Sequence, residues 1–297
     1  MQIGFVGLGQ MGKHMALNML KSGAELIVND VRIESLSEFE RRGARTATNL
    51  PDIAQANIIF LSLPNSEIVE SVLFGEKGLI DKLGKGQILV DLSTITYATT
   101  VEIAKRLEAR GINFVDAPVS GMEARAQEGT LTVMCGGKSE VVDAIRPYLN
   151  CIANKIFHMG ATGSGQLTKL INQLLFDINA AALAEVLPMS VKMGLDPDKV
   201  GQVVNSGTGR SYASEFFIPR VLKNSFSEGY PMKDAYKDLV SGAELGAKLC
   251  IPMPVLAAAT ATYQTALLRG YGDQDKGAMI RVFEELLGSA YRSRSSS

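Results

Sequence analysis

The sequence predicts an α/β chain: a doubly wound parallel sheet followed by an all-α domain, the two joined by a long interdomain helix. Three observations carry this. Short apolar runs alternate with helical patterns as far as about residue 163. A glycine-rich turn separates the first apolar run from the first helical pattern. Beyond residue 163 no strand-like run recurs and long helical stretches take over.

In chain order, strands are expected at 3–6, 25–29, 58–63, 88–91, 114–116, 131–134 and 155–157. Helices are expected between them at 11–22, 33–42, 66–73, 99–110 and 139–149. Strand–helix alternation of this kind implies parallel strands covered by helices on both faces. The second half reads as helices at 166–193, 197–206, 211–222, 232–248, 254–269 and 276–287. Pro197 and Pro254 fall near helix starts, where a missing N–H is tolerated, and Gly194 and Gly270 fall where helices end. The expected domains are therefore 1–163, 164–290 and a polar, unpatterned tail at 291–297 read as solvated disorder.

The composition narrows the function. With 297 residues, 46% hydrophobic and 21% charged, the chain is long enough for two domains and ordinary for a soluble protein. A net charge of −1 argues against nucleic-acid and membrane-surface partners. Cys135, Cys151 and Cys250 are far apart and form no ligand spacing, so neither a metal nor a disulfide framework is expected. The longest apolar stretch, 167–193, is interrupted by Lys169, Asn172, Asp177, Asn179 and Glu185; it reads as a buried helix and not as a membrane span. No basic leader precedes the first strand, and a cytoplasmic location is expected.

Gly7-Leu8-Gly9-Gln10-Met11-Gly12 follows a strand and opens a helix. The first glycine permits a tight turn, the second lets the backbone approach a pyrophosphate, and the third lets helix and strand pack closely. The free N–H groups of the helix start favour an anion. The second strand ends at Asn29-Asp30, about 20 residues on, as a dinucleotide site requires. Asp30 suits a ribose 2′-hydroxyl and repels a 2′-phosphate, which favours NAD. Arg32, two residues on from Asp30 and next to Val31, suits such a phosphate and leaves NADP open. Leu63-Pro64-Asn65 and Asp91-Leu92-Ser93-Thr94 fall at strand ends, where ligands of open α/β sheets bind.

Asp116-Ala117-Pro118-Val119-Ser120-Gly121 also follows a strand; Ser120 and the Gly121 backbone can hold a carboxylate, or Ser120 can simply cap a turn. In Gly160–Gln173 a glycine turn enters an apolar helix carrying Lys169, Asn172 and Gln173 on one face, at spacings of three and four. Neither His14 nor His158 has an evident carboxylate partner in sequence. Lys169 is thus the acid–base candidate, provided burial and a neighbouring cation bring its pKa down from ~10.4.

Taken together, GFVGLGQMG, LPN, DLST, DAPVSG, EGTLTVMCGG, GSGQLTKLINQ and YKDL resemble, in order, the motifs of the β-hydroxyacid dehydrogenases, a family that includes 3-hydroxyisobutyrate dehydrogenases and tartronate semialdehyde reductases; the resemblance runs from residue 1 to about 290. It implies a Rossmann-type N-terminal domain, a helical C-terminal domain with the active site in the cleft between them, and homodimers or homotetramers. It implies Lys169 as the catalytic residue, and Ser120, Gly121, Asn172 and Gln173 as ligands of a small hydroxyacid or semialdehyde. Thr94 and Lys237 match cofactor contacts, and Asp238 the acidic partner beside Lys237. The chain departs from the pattern at Met122, which stands where the family often has a second glycine and so borders the pocket, at Tyr97 in place of a proline, and at Gln173 in place of an asparagine. Gly209–Tyr212 and 234–239 are similar to the 2-(hydroxymethyl)glutarate dehydrogenase branch; there Arg210, like Arg125, either meets a second acidic group or forms a structural salt bridge. The rival readings are a silent dinucleotide-binding module, an imine reductase, which usually lacks this lysine, and a sugar-phosphate acid decarboxylase, for which no basic cluster is evident.

Overall fold

Apolar, β-branched segments form six parallel strands: β1 (Gln2–Val6), β2 (Glu25–Asn29), β3 (Arg45–Thr46), β4 (Ile58–Leu61), β5 (Ile88–Asp91) and β6 (Asn113–Asp116), in spatial order β3-β2-β1-β4-β5-β6. A computed structural model describes residues 1–293 of the chain; residues 294–297, the end of the expected tail, lie outside the described residues. The described chain divides into two units, Met1–Lys169 and a second starting at Leu170.

In the first unit, helices cover both faces of the sheet: α1 (Gly12–Lys21), α2 (Leu36–Arg41), α3 (Ser66–Phe74), α4 (Tyr97–Glu108), α5 (Met122–Glu128) and α6 (Ser139–Leu149). Alternation along the strands splits the core in two. Phe5, Phe60 and Val90 pack with Met15, Met19 and Ile145 on one face, and Val6, Ile59, Leu61 and Leu89 pack with Val69, Leu73 and Ile103 on the other.

The expected parallel sheet runs as far as β6 and is followed by a mixed edge. Beyond β6 the sheet continues with β7 (Val119–Ser120), β8 (Leu131–Gly136) and β9 (Ala153–Gly160); β8 runs antiparallel to β6 and β7, and β9 parallel to β8. β6 and β7 run in the same direction, separated only by Ala117 and Pro118, and β8 lies antiparallel to both; only residues 121–130 connect β7 to β8, too few for a parallel crossover. The two-residue strands β3 and β7 leave no periodic pattern, which is why they were not expected. Helix α5 was also unforeseen, because it begins directly at the Ser120-Gly121 turn. The expected helices at 33–42 and 276–287 each open with a 3₁₀ turn, Ile33–Ser35 and Lys276–Met279.

Helix α7 (Ser164–Lys192) starts in the first unit and continues into the second. The first unit extends to Lys169, and the first turn of α7 is bonded to the strand ends. By length and composition α7 could cross a membrane, yet Lys169 and Asp177 lie buried along it. The second unit adds α8 (Pro197–Ser206), α9 (Tyr212–Leu222), α10 (Met232–Lys248), α11 (Pro254–Leu268) and α12 (Ile280–Leu287). Their ends carry recognisable caps: the Asp196 carboxylate accepts from the backbone of Asp198 and Lys199 with Pro197 in the first turn, and Ser211 and Ser214 form a reciprocal box. Asp177 of α7 forms a buried ion pair with Lys276, whose Nζ lies 4.3 Å from the Phe176 ring centroid.

The start of the expected tail is corrected too. Tyr291 is fully buried and its hydroxyl donates to Pro197 O at 2.8 Å, while Arg292 pairs with Glu284. Lone buried aromatic anchors of this kind escape a reading by periodicity.

Candidate active site

The loop after β1 shows a distinct reason for each of its three glycines. Gly7 has φ +94°, and a Cβ there would lie 2.2 Å from Ser62 O; at Gly12 a Cβ would lie 2.0 Å from Gly7 O. Both positions therefore exclude any side chain. At Gly9 a Cβ would meet nothing within 4 Å, so the backbone is open to a ligand on that side. These residues fit a bound pyrophosphate, with Leu8, Gln10 and Met11 completing the loop.

At the end of β2 the two polar residues are differently engaged. Asn29 is buried and its amide donates to Ala47 O at 2.8 Å, which ties β2 to the chain after β3. Asp30 braces the glycine loop: Oδ2 accepts from Leu8 N at 2.6 Å, and Oδ1 accepts from Arg32 N at 2.8 Å and from Arg32 Nε at 3.3 Å. The Arg32 guanidinium also donates to Leu8 O at 3.2 Å, whereas Val31 is almost fully exposed.

The ends of β4, β5 and β6 are sewn to the first turn of α7 through Gln166. Its backbone N–H donates to Asp116 Oδ2 at 2.9 Å, and Gly163 N donates to Asp116 Oδ1 at 2.7 Å, so a β6 carboxylate caps the helix. The Gln166 side chain donates to Ser93 O at 2.7 Å and accepts from Ile95 N at 3.3 Å, gripping the backbone on either side of Thr94. Ser93 Oγ in turn accepts from Leu63 N at 2.9 Å, next to Pro64. One turn beyond Gln166 lies Lys169, buried at 7% exposure. Ser120 follows the same Asp116 by four residues and sits on β7, paired with Thr132. Asp116 and Gln166 thus join the strand ends to the start of α7, contacts that motif reading passed over. Asp116 was visible in the Asp-Ala-Pro motif, but its partners 47 and 50 residues away were not.

Within the second unit, Gln173 of α7 donates to Asp238 of α10 at 3.2 Å, one residue after Lys237, while Asn172 is exposed. Arg210 is ion-paired with Glu215 at 2.6 Å, the structural alternative raised for it, whereas Arg125 forms no ion pair among the described residues. Met122 has φ +61°, the left-handed conformation that the glycine of the family pattern adopts freely. His158 is bonded to Gly137 O and Gly160 O in a structural role; His14 does meet a carboxylate, Glu123, at 3.1 Å.

Burial governs two carboxylates here. It pushes Asp91 and Asp116 up to about 6, against their hydrogen bonds to backbone N–H groups. Asp91 is wholly buried, and its Oδ2 has no donor among the described residues. With a folded pKa above the unfolded value, this group binds its proton more tightly when folded; its contribution to stability is greatest at low pH and is lost as pH rises through about 6. Asp91→Asn removes the buried charge and keeps an acceptor for Ser93 N. It is expected to raise stability by roughly 1–3 kcal/mol at pH 8, from about 1.4 kcal/mol per pKa unit, with the gain fading by pH 5. Urea unfolding at the two pH values measures this, and an Asn variant less stable than wild type at pH 8 contradicts it.

A sheet of this strand order with a glycine loop after β1 is the architecture of dinucleotide-binding proteins, and the comparisons place the chain among the nicotinamide-dependent oxidoreductases. Residues 2–160 match the family described as the NAD binding domain of 6-phosphogluconate dehydrogenase, and residues 163–283 that described as NAD-binding of NADP-dependent 3-hydroxyisobutyrate dehydrogenase. The chain belongs to the β-hydroxyacid dehydrogenase family and is an NAD(P)-dependent hydroxyacid dehydrogenase. It is 38% identical to 2-(hydroxymethyl)glutarate dehydrogenase of Eubacterium barkeri, over 97% of this chain and 96% of the relative. It is 32% identical to 2-hydroxy-3-oxopropionate reductase of Escherichia coli K12, over 96% and 97%. Among solved structures, the 3-hydroxyisobutyrate dehydrogenase of Salmonella typhimurium superposes with a TM-score of 0.86 at 28% identity, covering 95% of this chain and 99% of that one.

Proposed function

We propose that the enzyme interconverts a small β-hydroxyacid and its semialdehyde, with Lys169 moving the proton and NAD preferred as cofactor. The observation that carries this reading is the buried Lys169 one turn after Gln166, on a helix start anchored by Asp116. Gly7–Gly12 would hold the pyrophosphate, Asp30 the ribose, and Leu63, Pro64, Thr94 and Lys237 further parts of the cofactor. When bound, the nicotinamide supplies or takes up the hydride. Lys169 Nζ gives a proton to the substrate oxygen in reduction and removes it in oxidation. Asn172 and Gln173 orient that oxygen, and Ser120 with the Gly121 and Met122 backbone holds the carboxylate.

The preference for NAD rests on Asp30, whose charge at the ribose end disfavours a 2′-phosphate; Arg32 is held against that same carboxylate. The names of the relatives share a hydroxylated acid but differ in carbon skeleton, so 2-(hydroxymethyl)glutarate, tartronate semialdehyde and succinic semialdehyde are the alternatives to a 3-hydroxyisobutyrate-like substrate. The test is a screen of short-chain hydroxyacids with each cofactor, following the absorbance of the reduced nicotinamide. Turnover of imines or simple secondary alcohols alone rejects the substrate class, and a higher kcat/KM with NADP rejects the cofactor preference.

We further propose that the enzyme is a cytoplasmic homodimer or homotetramer. Ile171, Leu175, Val186, Met189 and Met193 of α7 and its end are each more than half exposed, an apolar stripe that association of two copies would cover. Light scattering on the purified protein is expected to give two or four times the 31.9 kDa chain mass. A single-chain mass at micromolar concentration contradicts the assembly.

A further inference from the structure

Helix α5 is fastened to the dinucleotide loop and to α1 by three side chains. Gln10 lies in the loop, and His14 and Asn18, four residues apart on α1, share a helical face. Gln10 Nε2 donates to Glu123 Oε2 at 2.7 Å, and His14 Nε2 lies 3.1 Å from Glu123 Oε1. Asn18 donates to Ala126 O at 2.9 Å and Gln127 O at 3.3 Å. The bonds from Gln10 and His14 hold the Glu123 carboxyl below the usual range, so it is ionised at neutral pH; Lys13, which faces it more weakly, is itself paired with Glu38.

Glu123 is the residue next to Met122, and Met122 is held at φ +61°, a left-handed conformation that is strained for a residue bearing a side chain. Strain of this kind persists only where neighbours over-determine it. On the amino side the restraint is β7, where Ser120 pairs with Thr132; on the carboxyl side it is the Glu123 carboxylate, held by the glycine loop. A single peptide thus lies between the segment that would hold a substrate carboxylate and the loop that would hold a pyrophosphate.

We propose that Glu123 is a positioning residue that couples the two sites: through Gln10 and His14 it lets occupancy of the glycine loop set the backbone of Ser120–Met122. The inference rests on the assignment of those segments to cofactor and substrate made above. A dinucleotide that orders Gln10 also orders Glu123 and keeps Met122 in its left-handed state, so the hydroxyacid binds more tightly to the cofactor-loaded enzyme. By linkage the hydroxyacid must tighten the cofactor by the same factor.

The experiment uses the dead-end combination of reduced cofactor with hydroxyacid, which cannot react. NADH fluorescence titrations are run on the wild-type enzyme with and without the best hydroxyacid from the screen. Wild type is expected to bind NADH about fivefold or more tightly when the hydroxyacid is saturating. In Glu123→Ala that factor falls toward one. The KM for hydroxyacid rises about three- to tenfold, as loss of a net hydrogen bond worth ~1 kcal/mol predicts, while kcat at saturation and NADH affinity alone stay within about twofold. Glu123→Gln, which can still accept from Gln10, restores most of the coupling. A wild-type factor of one, an unchanged factor in a folded Glu123→Ala variant, or a loss of kcat with KM and coupling intact each overturn the inference. Failure of the wild-type enzyme to turn over any hydroxyacid rejects the functional reading instead, and shows in the screen before any variant is made.

Discussion

Lys169→Ala is expected to lower kcat/KM for the preferred hydroxyacid by about 10²–10⁴-fold, the usual contribution of a positioned acid–base group. The physical basis is that oxidation removes a proton from an alcohol while a hydride leaves its carbon. Without an acceptor at that point an alkoxide must form unaided. Lys169 is 7% exposed, so water reaches the position poorly and replaces the amine badly. Binding of NADH is expected to stay within about threefold of wild type, because the glycine loop and Asp30 lie at the ends of β1 and β2 and keep their own bonds. Stopped-flow rates with saturating cofactor, together with a fluorescence titration of NADH, separate the two quantities. A fall in kcat/KM of less than about tenfold with normal NADH binding removes Lys169 from its role. Lys169→Arg makes a stricter comparison: it keeps the charge but, with a pKa above 12, cannot take part in proton exchange near neutrality, and it too should be slow.

Asp116→Ala is expected to reduce both stability and turnover. The carboxylate is wholly buried and accepts two backbone N–H groups at the start of α7. Losing two charge-assisted bonds costs roughly 3–6 kcal/mol. Against this, the variant is relieved of a buried charge whose pKa is pushed up to about 6, worth about 3 kcal/mol at neutral pH. The balance is a loss of up to about 3 kcal/mol. The larger effect is on catalysis. Lys169 sits one turn along a helix whose first turn is no longer held, and a displacement of about 1 Å at a reacting group can cost ~10²-fold in rate. Asp116→Asn keeps one acceptor and should recover part of both losses. Thermal melts, kcat and NADH affinity for the two variants decide the matter; wild-type kcat in a folded Asp116→Ala enzyme would show that the cap does not position Lys169.

Much of this architecture could be read from local pattern. Alternation of apolar runs with helical stretches reported the parallel strands and their covering helices. Pro197, the run from Met232 to Lys248 and Ser139–Leu149 set helix limits that agree with the structure. Runs of that length carry their own burial pattern, so a window of sequence contains the information. The two-residue strands β3 and β7 carry no such pattern, and β7 exists only because β8 lies beside it. The antiparallel edge of the sheet goes with a connection from β7 to β8, residues 121–130, too short to cross over, a geometric limit that periodicity does not register. The sequence around Tyr291 reads as a tail because the partner of its hydroxyl, Pro197 O, is 94 residues away.

The same division holds at the active site. The glycine loop, Asp30, Ser120 and Lys169 are candidates on sequence alone because each proposed chemistry demands a residue type at a close spacing: three glycines within six positions, and three polar groups on one helical face. Their supports are another matter. That Asp30 braces Leu8, that Gln166 grips both sides of Thr94, and that Glu123 reaches Gln10 are contacts across 22, 71 to 73 and 113 positions. A carboxylate or an amide accepts many partners equally well, so its identity leaves the choice open. Only packing of the strands into one sheet brings those particular groups within hydrogen-bond reach and excludes the water that would otherwise satisfy them.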